Sequence, residues 1–201
     1  RTPLTRLRGR LEDLDDRDLS PADRTKRIEA AVAEADTLLS MFNALLRITQ
    51  IEAGGRRDNF AQVDLAAVLA DVAELYEPVA QARGLTLSSR VDAAESVTAD
   101  RDLIFQAIAN LADNAIKYTP PGGTVTLQAA GKSITVSDTG PGVPEDARED
   151  VFRRFHRLEK SRSAPGSGLG LSLVKAVAQL HGGEVRLEDN RPGLKAVLTV
   201  G

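Results

Sequence analysis

Two asparagines and a lysine recur at helical spacing near the middle of the chain. Asn110, Asn114 and Lys117 are four and three residues apart, so a helix would carry them on one face. Asparagine is a mediocre helix former, which makes two of them inside a helix locally unfavourable. An amide oxygen is a hard ligand suited to Mg²⁺, and a nearby lysine suits phosphate. The pattern indicates a magnesium and phosphate site, although alone it is equally typical of a solvated helix face.

A carboxylate followed by two glycines forms a second candidate. Asp138 ends a strand of alternating character, where it could accept a hydrogen bond from an exocyclic amine. Gly140 and Gly142 would let the backbone pass close to a ligand. Because Asp, Gly and Pro are also common turn residues, the segment alone is a weak signal.

A basic stretch and a glycine-rich loop follow. Six Lys or Arg residues lie in 148–162 of a chain that is acidic overall, and Phe152 and Phe155 could anchor this segment to the core. The polar residues 157–165 indicate a mobile flap, although charge runs are usually only solvated. The glycines of 166–170 open a helix, where backbone N–H groups can face an anion at the positive end of the dipole. The spacing matches neither the dinucleotide fingerprint nor the P-loop.

The first 56 residues predict a helical hairpin. Leucines recur from Leu4 to Leu14 in steps of three and four, and Ser20 with Pro21 is a favourable start for a second helix. Glycines 54 and 55 should end that helix. Its apolar residues form a heptad repeat: Ile28, Val32, Ala35, Leu39, Phe42 and Leu46. We expect two copies to pair as a four-helix bundle; alternatively, the hairpin packs on the rest of the same chain.

The remainder of the chain has an α/β pattern. Helices are predicted after the capping residues Asp64 and Asp100, and over residues 144–155 and 169–180. Strands are predicted near 85–91, 125–129, 133–137, 184–188 and 195–200. The fold class is therefore α+β, with about three helices over a mixed sheet that contains antiparallel hairpins.

Composition narrows the function. With 26 basic and 29 acidic side chains, the net charge of −3 argues against a general nucleic-acid binder. The absence of cysteine excludes disulfide and zinc-thiolate chemistry. No apolar run approaches the roughly 20 residues that span a bilayer. Because the chain starts at Arg1 without an initiator Met, we expect it to be cut from a longer protein.

The order of these motifs resembles that of sensor histidine kinases. The matching segments are Asn110–Tyr118, Asp138–Gly142, Phe152–Phe155 and Gly166–Gly170, which resemble the N, G1, F and G2 boxes. The opening Arg1-Thr2-Pro3-Leu4 is similar to the latter part of the H box. The resemblance covers nearly the whole chain. It implies a dimerisation hairpin over 1–56 and, over 57–201, an ATP-binding α/β sandwich of the gyrase and MutL type.

The resemblance also implies a Mg-ATP site. Asn114, with Asn110, would hold Mg²⁺, and Asp138 would read the adenine amine. Arg157 would lie near the γ-phosphate, and Thr2 would act in dephosphorylation of the response regulator that is the kinase's partner. The remaining nucleotide-binding residues would be Lys117, Tyr118, Gly140, Gly142, Gly166, Gly168, Leu169 and Gly170.

In this family the phosphoryl group passes from ATP to a histidine and then to an aspartate of a response regulator receiver domain. The matching histidine would lie three positions before Arg1, and neither His156 nor His181 fits that position. The resemblance further implies a homodimer and the cytoplasmic portion of an inner-membrane protein, with the membrane reached only through upstream segments.

Two alternatives to an active kinase remain open. The chain could be a dimeric nucleotide-binding scaffold that signals without turnover. It could also be an ATPase of the gyrase or MutL kind, which usually has a Glu base four residues before the Mg-binding Asn. This chain has Asn110 at that position.

Overall fold

The computed structural model describes residues 3–15, 20–52, 57–158 and 167–201. Thr2, Gly166 and the glycines 54 and 55, all of which carry sequence predictions, lie outside the described residues. The described residues contain no helix that is long and apolar enough to cross a membrane.

Two antiparallel helices, α1 (Pro3–Glu12) and α2 (Pro21–Glu52), form the hairpin. Arg27 Nη1 donates to the Asp13 carbonyl oxygen at 2.6 Å, so the start of α2 lies beside the end of α1. Ser20 begins α2 as predicted, because its Oγ accepts the Asp23 N–H at 3.1 Å and donates to Asp23 Oδ2 at 2.7 Å.

Helix α2 has two apolar faces with different surroundings. Ile48 and Ile51 are buried and belong to the main hydrophobic core, with Met41, Ala44 and Leu45 packed against it. The heptad row remains outside: Ile28, Val32, Leu39, Phe42 and Leu46 are exposed. The hairpin therefore packs on the rest of the chain through one face and leaves the predicted bundle seam uncovered.

Five strands form the main sheet in the order β2-β4-β5-β7-β6. They are β2 (Thr86–Ala94), β4 (Thr124–Gly131), β5 (Ser133–Asp138), β6 (Val185–Asp189) and β7 (Leu194–Thr199). The β2–β4 pair is parallel and the other pairs are antiparallel, which confirms the mixed sheet.

Three helices pack against one face of this sheet. They are α3 (Leu65–Ala82), α4 (Arg101–Tyr118) and α5 (Gly170–Leu180), and all contribute to one core. Val125, Leu127 and Ala129 of β4 are buried under them, while its other residues are half-buried. The predicted caps are confirmed, because Asp64 accepts the Ala66 N–H and Asp100 accepts two N–H groups of the first turn of α4. This arrangement confirms the α+β class.

A small antiparallel sheet was not predicted from the sequence. Strand β1 (Ala61–Asp64), which directly precedes α3 in the chain, pairs with β3 (Ser96–Ala99), which directly precedes α4. Each strand has only four residues, too few for alternation to be distinctive.

The predicted helix over 144–155 is wrong. This segment contains two short 3₁₀ turns, Glu145–Ala147 and Asp150–Phe152. Of the residues in these turns, only Val151 is buried, so the segment lacks the continuous apolar face that stabilises a short helix. Phe155 has a positive φ of 61° and its N–H donates to the Gly168 carbonyl oxygen at 3.0 Å. The chain therefore turns toward the glycine-rich loop.

His181 has a structural role. Its Nε2 accepts the Asp100 N–H at 3.0 Å, so Nδ1 carries the proton and donates to the Val177 carbonyl oxygen at 2.8 Å. The ring also stacks on Phe60, with centroids 4.7 Å apart. These contacts join the start of α4 to the end of α5.

Candidate functional site

One face of α4 carries the predicted amides. Asn110 Nδ2 donates to the Gln106 carbonyl oxygen at 2.8 Å. Only the NH₂ group can make this bond, so the amide is oriented with Oδ1 pointing away from the Gln106 carbonyl. Asn114 follows one turn later and is half-buried. The helix therefore offers amide oxygens of the kind that magnesium accepts.

Gly170, the first residue of α5, lies directly against these amides. A Cβ built on Gly170 would lie 2.9 Å from Asn110 Oδ1 and 3.6 Å from Asn114 Nδ2. Leu169 before it is buried and gives α5 no side-chain cap, and the first turn holds no acidic residue. The N–H groups at this positive helix end are therefore available to an anion beside the amide pair.

Asp138 lies at the other end of the α4 face. Its side chain is only 7% exposed, and Oδ1 accepts the N–H groups of Gly140 at 2.8 Å and Leu194 at 3.3 Å. Burial raises the pKa of Asp138, and the two backbone hydrogen bonds oppose that rise. Oδ2 accepts no hydrogen bond from the described residues and can receive a ligand N–H.

The two glycines after Asp138 are required by protein contacts. A Cβ on Gly140 would lie 3.0 Å from the Tyr118 carbonyl oxygen, at the end of α4. Gly142 has a φ of +69°, and its Cβ would lie 2.9 Å from the Gly193 carbonyl oxygen. The loop after β5 thus passes closely between α4 and the β6–β7 turn, which brings Asp138 to the amide-bearing helix.

Of the two aromatic residues, Phe155 meets the glycine-rich loop, through its backbone atoms. Gly168 has a φ of +73°, and its Cβ would lie 2.9 Å from the carbonyl carbon of Phe155. Phe152 packs against the core, but the Phe155 side chain is 58% exposed. The expectation that both rings anchor the segment is therefore wrong for Phe155, which makes its contact through the main chain.

Residues from the hairpin complete a cleft beside the amides. The cleft has a volume of about 360 Å³ and is lined by Ser40, Asn43 and Ala44 of α2 together with Gln106, Asn110, Ser167, Gly170 and Leu173. Sequence reasoning missed the α2 residues and Gln106. Gln106 was detectable, because it lies four residues before Asn110 on the same face.

The remaining predicted residues are spread around this site. Lys117 Nζ lies 4.8 Å from the centroid of the Tyr118 ring. Arg157 is half-buried and follows His156, whose carbonyl oxygen would lie 3.0 Å from a Cβ on Gly168. Neither Arg157 nor Asp138 lines the cleft.

A metal ion at this site would take most of its coordination from bound phosphates and waters rather than from the protein. Within the described ranges, no group of three or more His, Asp or Glu side chains could hold an ion. Mg²⁺ usually binds through one or two protein oxygens together with phosphates and waters. The amide pair beside an uncapped helix end fits that requirement.

Comparison with known proteins identifies a domain. Residues 99–200 match the family described as histidine kinase-, DNA gyrase B-, and HSP90-like ATPase. This match covers the α4 face, Asp138, the glycine-rich loop and the closing strands.

Curated relatives and solved structures extend the similarity over the hairpin. The signal transduction histidine-protein kinase/phosphatase MprB of Mycobacterium sp. (strain KMS) is 37% identical over 204 residues, covering 96% of this chain and 39% of MprB. Full-length ShkA in complex with AMPPNP is 28% identical, with a TM-score of 0.74 over 98% of this chain and 44% of ShkA. ThkA in complex with the response regulator protein TrrA shares the fold, with a TM-score of 0.78, 23% identity, and coverage of 99% of this chain and 57% of ThkA. The chain thus spans about two fifths of the length of MprB.

Proposed function

We propose that this chain, which belongs to the sensor histidine kinases and carries their catalytic ATPase domain, binds Mg-ATP along α4. The bound nucleotide would supply the phosphoryl group for transfer to a histidine. One observation carries the proposal: Gly170 places the start of α5 against Asn110 and Asn114. A positive helix end and metal-binding amides then face the same ligand. The AMPPNP complex of ShkA supports nucleotide binding.

The described residues suggest a division of roles along the site. Asn114 and Asn110 would hold Mg²⁺, which when bound neutralises charge on the phosphates. Lys117, Gly168 and the N–H groups beginning at Gly170 would contact phosphate oxygens. The protein then contributes position and charge rather than covalent chemistry.

The adenine base of the nucleotide would lie at the end of the site that Asp138 occupies. An ionised carboxylate whose Oδ1 is held by two backbone N–H groups can accept the adenine amine on Oδ2. Tyr118, Gly140 and Gly142 would border the base. Guanine carries a carbonyl oxygen at the corresponding ring position, which would repel the carboxylate.

The parent protein's activity is part of the proposal. The acceptor histidine would lie upstream of Arg1, with Arg157 near the γ-phosphate and Thr2 acting in dephosphorylation. We propose that an aspartate of a receiver domain then takes the phosphoryl group from the hairpin of 1–56, and that 57–201 is the catalytic unit. The name of MprB, a histidine-protein kinase/phosphatase, supports the kinase and phosphatase activities, and the ThkA complex with the response regulator protein TrrA supports the partner. Family membership is also the ground for placing the chain on the cytoplasmic side of an inner membrane.

Phosphorylation of an extended chain tests this function. With about ten natural upstream residues added, incubation with Mg-ATP labelled on the γ-phosphate is expected to give an acid-labile, base-stable phosphoprotein. The same chain with Asn114→Ala should remain unlabelled. If the extended chain binds Mg-ATP but takes up no label, the scaffold without turnover is the correct function.

The exposed seam of α2 supports a homodimer. Five large apolar side chains on one helix face form a surface that soluble monomers rarely expose. Pairing two hairpins would bury this seam in a four-helix bundle.

We expect Leu39→Glu to convert a dimer into a monomer, because a charge buried in the seam would be unpaired. Sedimentation equilibrium over a range of concentrations measures the change. Ala33→Glu is the matched control, since Ala33 is exposed and lies about 140° around α2 from the seam. A monomeric unsubstituted chain at high concentration would contradict the proposal.

A further inference from the structure

The side chain of Gln106 has no function in the site described above. Its Oε1 is buried and accepts no hydrogen bond from the described residues. A buried carbonyl oxygen without a donor is costly, and a bound ligand with its waters can supply the donor that the described residues do not. Gln106 lines the same cleft as Asn110 and Gly170.

A second amide faces this cleft from the hairpin. Asn43 lies on α2, is exposed, and lines both this cleft and a neighbouring one of about 640 Å³ between α2 and helices α3 and α4. Ile48 of the same helix is buried in the core, and α2 packs against α5, so Asn43 is held in place at the cleft. Two amides from different parts of the fold therefore border one space.

The direction of α4 indicates which part of a nucleotide would reach these amides. The end at Tyr118 contacts the loop after Asp138, and Asn110 contacts the start of α5. Gln106 lies one turn further on, about 18 Å along the helix axis from Tyr118. A nucleotide with its base at Asp138 and inner phosphates at Asn114 would direct its terminal phosphate toward α2.

We propose that Asn43 and Gln106 are positioning residues for the terminal phosphate of ATP, an inference that rests on the proposed function. Asn43 Nδ2 donates to an oxygen of that phosphate, and the Gln106 side chain turns into the cleft, where Oε1 accepts from a water of the magnesium hydration shell. ADP lacks the terminal phosphate and leaves Asn43 without this contact. The cleft therefore distinguishes ATP from ADP through a residue of the hairpin, and ATP binding holds the hairpin against the catalytic domain.

Calorimetric titration of this chain with Mg-AMPPNP and with Mg-ADP tests the inference. We expect Asn43→Ala to weaken Mg-AMPPNP about tenfold, as for a lost hydrogen bond to a charged group, with Mg-ADP unchanged. Asn43→Asp should weaken Mg-AMPPNP further, because a carboxylate repels phosphate. Gln106→Ala should also weaken Mg-AMPPNP more than Mg-ADP.

Gln50→Ala is the matched control. Gln50 is an exposed amide on the same helix, but it lines only the neighbouring cleft, so both affinities should stay unchanged. Unchanged Mg-AMPPNP affinity in Asn43→Ala, or equal losses for the two nucleotides, would overturn the inference. An unsubstituted chain that binds neither nucleotide would instead overturn the proposed function.

Discussion

Replacing Asn114 with alanine is expected to abolish magnesium-dependent nucleotide binding, with an affinity loss of more than about 100-fold. Changes in the outer shell of metal sites already cost about 10- to 100-fold, and the loss of a direct ligand should cost at least as much. Asn114 is half-buried on a helix surface, so its truncation should leave the fold intact. Titration with ATP in the presence of Mg²⁺ and of a chelator measures the effect.

The neighbouring residue Asp113 supplies the control for this experiment. It is exposed on the same helix turn, and Asp113→Ala should retain the affinity of the unsubstituted chain. Thermal unfolding of both variants verifies that each is folded. Unaltered magnesium-dependent affinity in a folded Asn114→Ala variant would remove Asn114 from the metal site.

Asp138→Asn should change nucleotide selectivity while it keeps the backbone hydrogen bonds to Oδ1. The amide can still accept the two backbone N–H groups on Oδ1, but it would present NH₂ where the carboxylate offered Oδ2 to the adenine amine. We expect ATP to bind about 10- to 100-fold more weakly, as for a lost charge-assisted hydrogen bond, with little change for GTP. Equal losses for ATP and GTP would count against adenine recognition by Asp138.

The same substitution should change how stability depends on pH. Burial raises the pKa of Asp138, so the folded protein retains this proton to higher pH than the unfolded chain does. The stabilisation from the protonated carboxyl is complete below the ordinary aspartate pKa and is lost as pH rises through the raised value. Asp138→Asn has no such titration. Its free energy of unfolding should therefore exceed that of the unsubstituted chain at neutral pH, with the difference shrinking in acid.

Urea unfolding over a series of pH values measures this difference. The difference in free energy of unfolding between the two proteins should follow the titration of a single group. If the two free energies instead run parallel over the whole pH range, the Asp138 carboxylate is not destabilised by burial.

Local signals were sufficient to predict the main elements of the fold. Ser20, Asp64 and Asp100 each begin a helix because a short polar side chain satisfies backbone N–H groups within three residues. The paired strands β4 and β5 follow from strict alternation of apolar residues. These interactions are set by neighbours in the chain, so they can be read from sequence.

Features that depend on distant contacts were not predictable in the same way. Residues 144–155 have helical composition, but the backbone bond from Phe155 to Gly168 directs the chain elsewhere. The sequence likewise does not predict that Asn43 lines the cleft, because this depends on how α2 packs against α5. In the candidate site, the spacing of Asn110 and Asn114 indicated a shared face, while the contact with Gly170 required the tertiary fold.

Helix α2 carries two apolar surfaces on one backbone. Its 32 residues form a continuous rod about 48 Å long, with the uncovered seam on one side and Ile48 and Ile51 embedded in the catalytic core on another. Turning this helix about its long axis moves the exposed seam and the two embedded isoleucines together, since they share one backbone. A partner that rotated the helix through the seam would therefore also shift Asn43 at the cleft, with no separate linkage between the two surfaces.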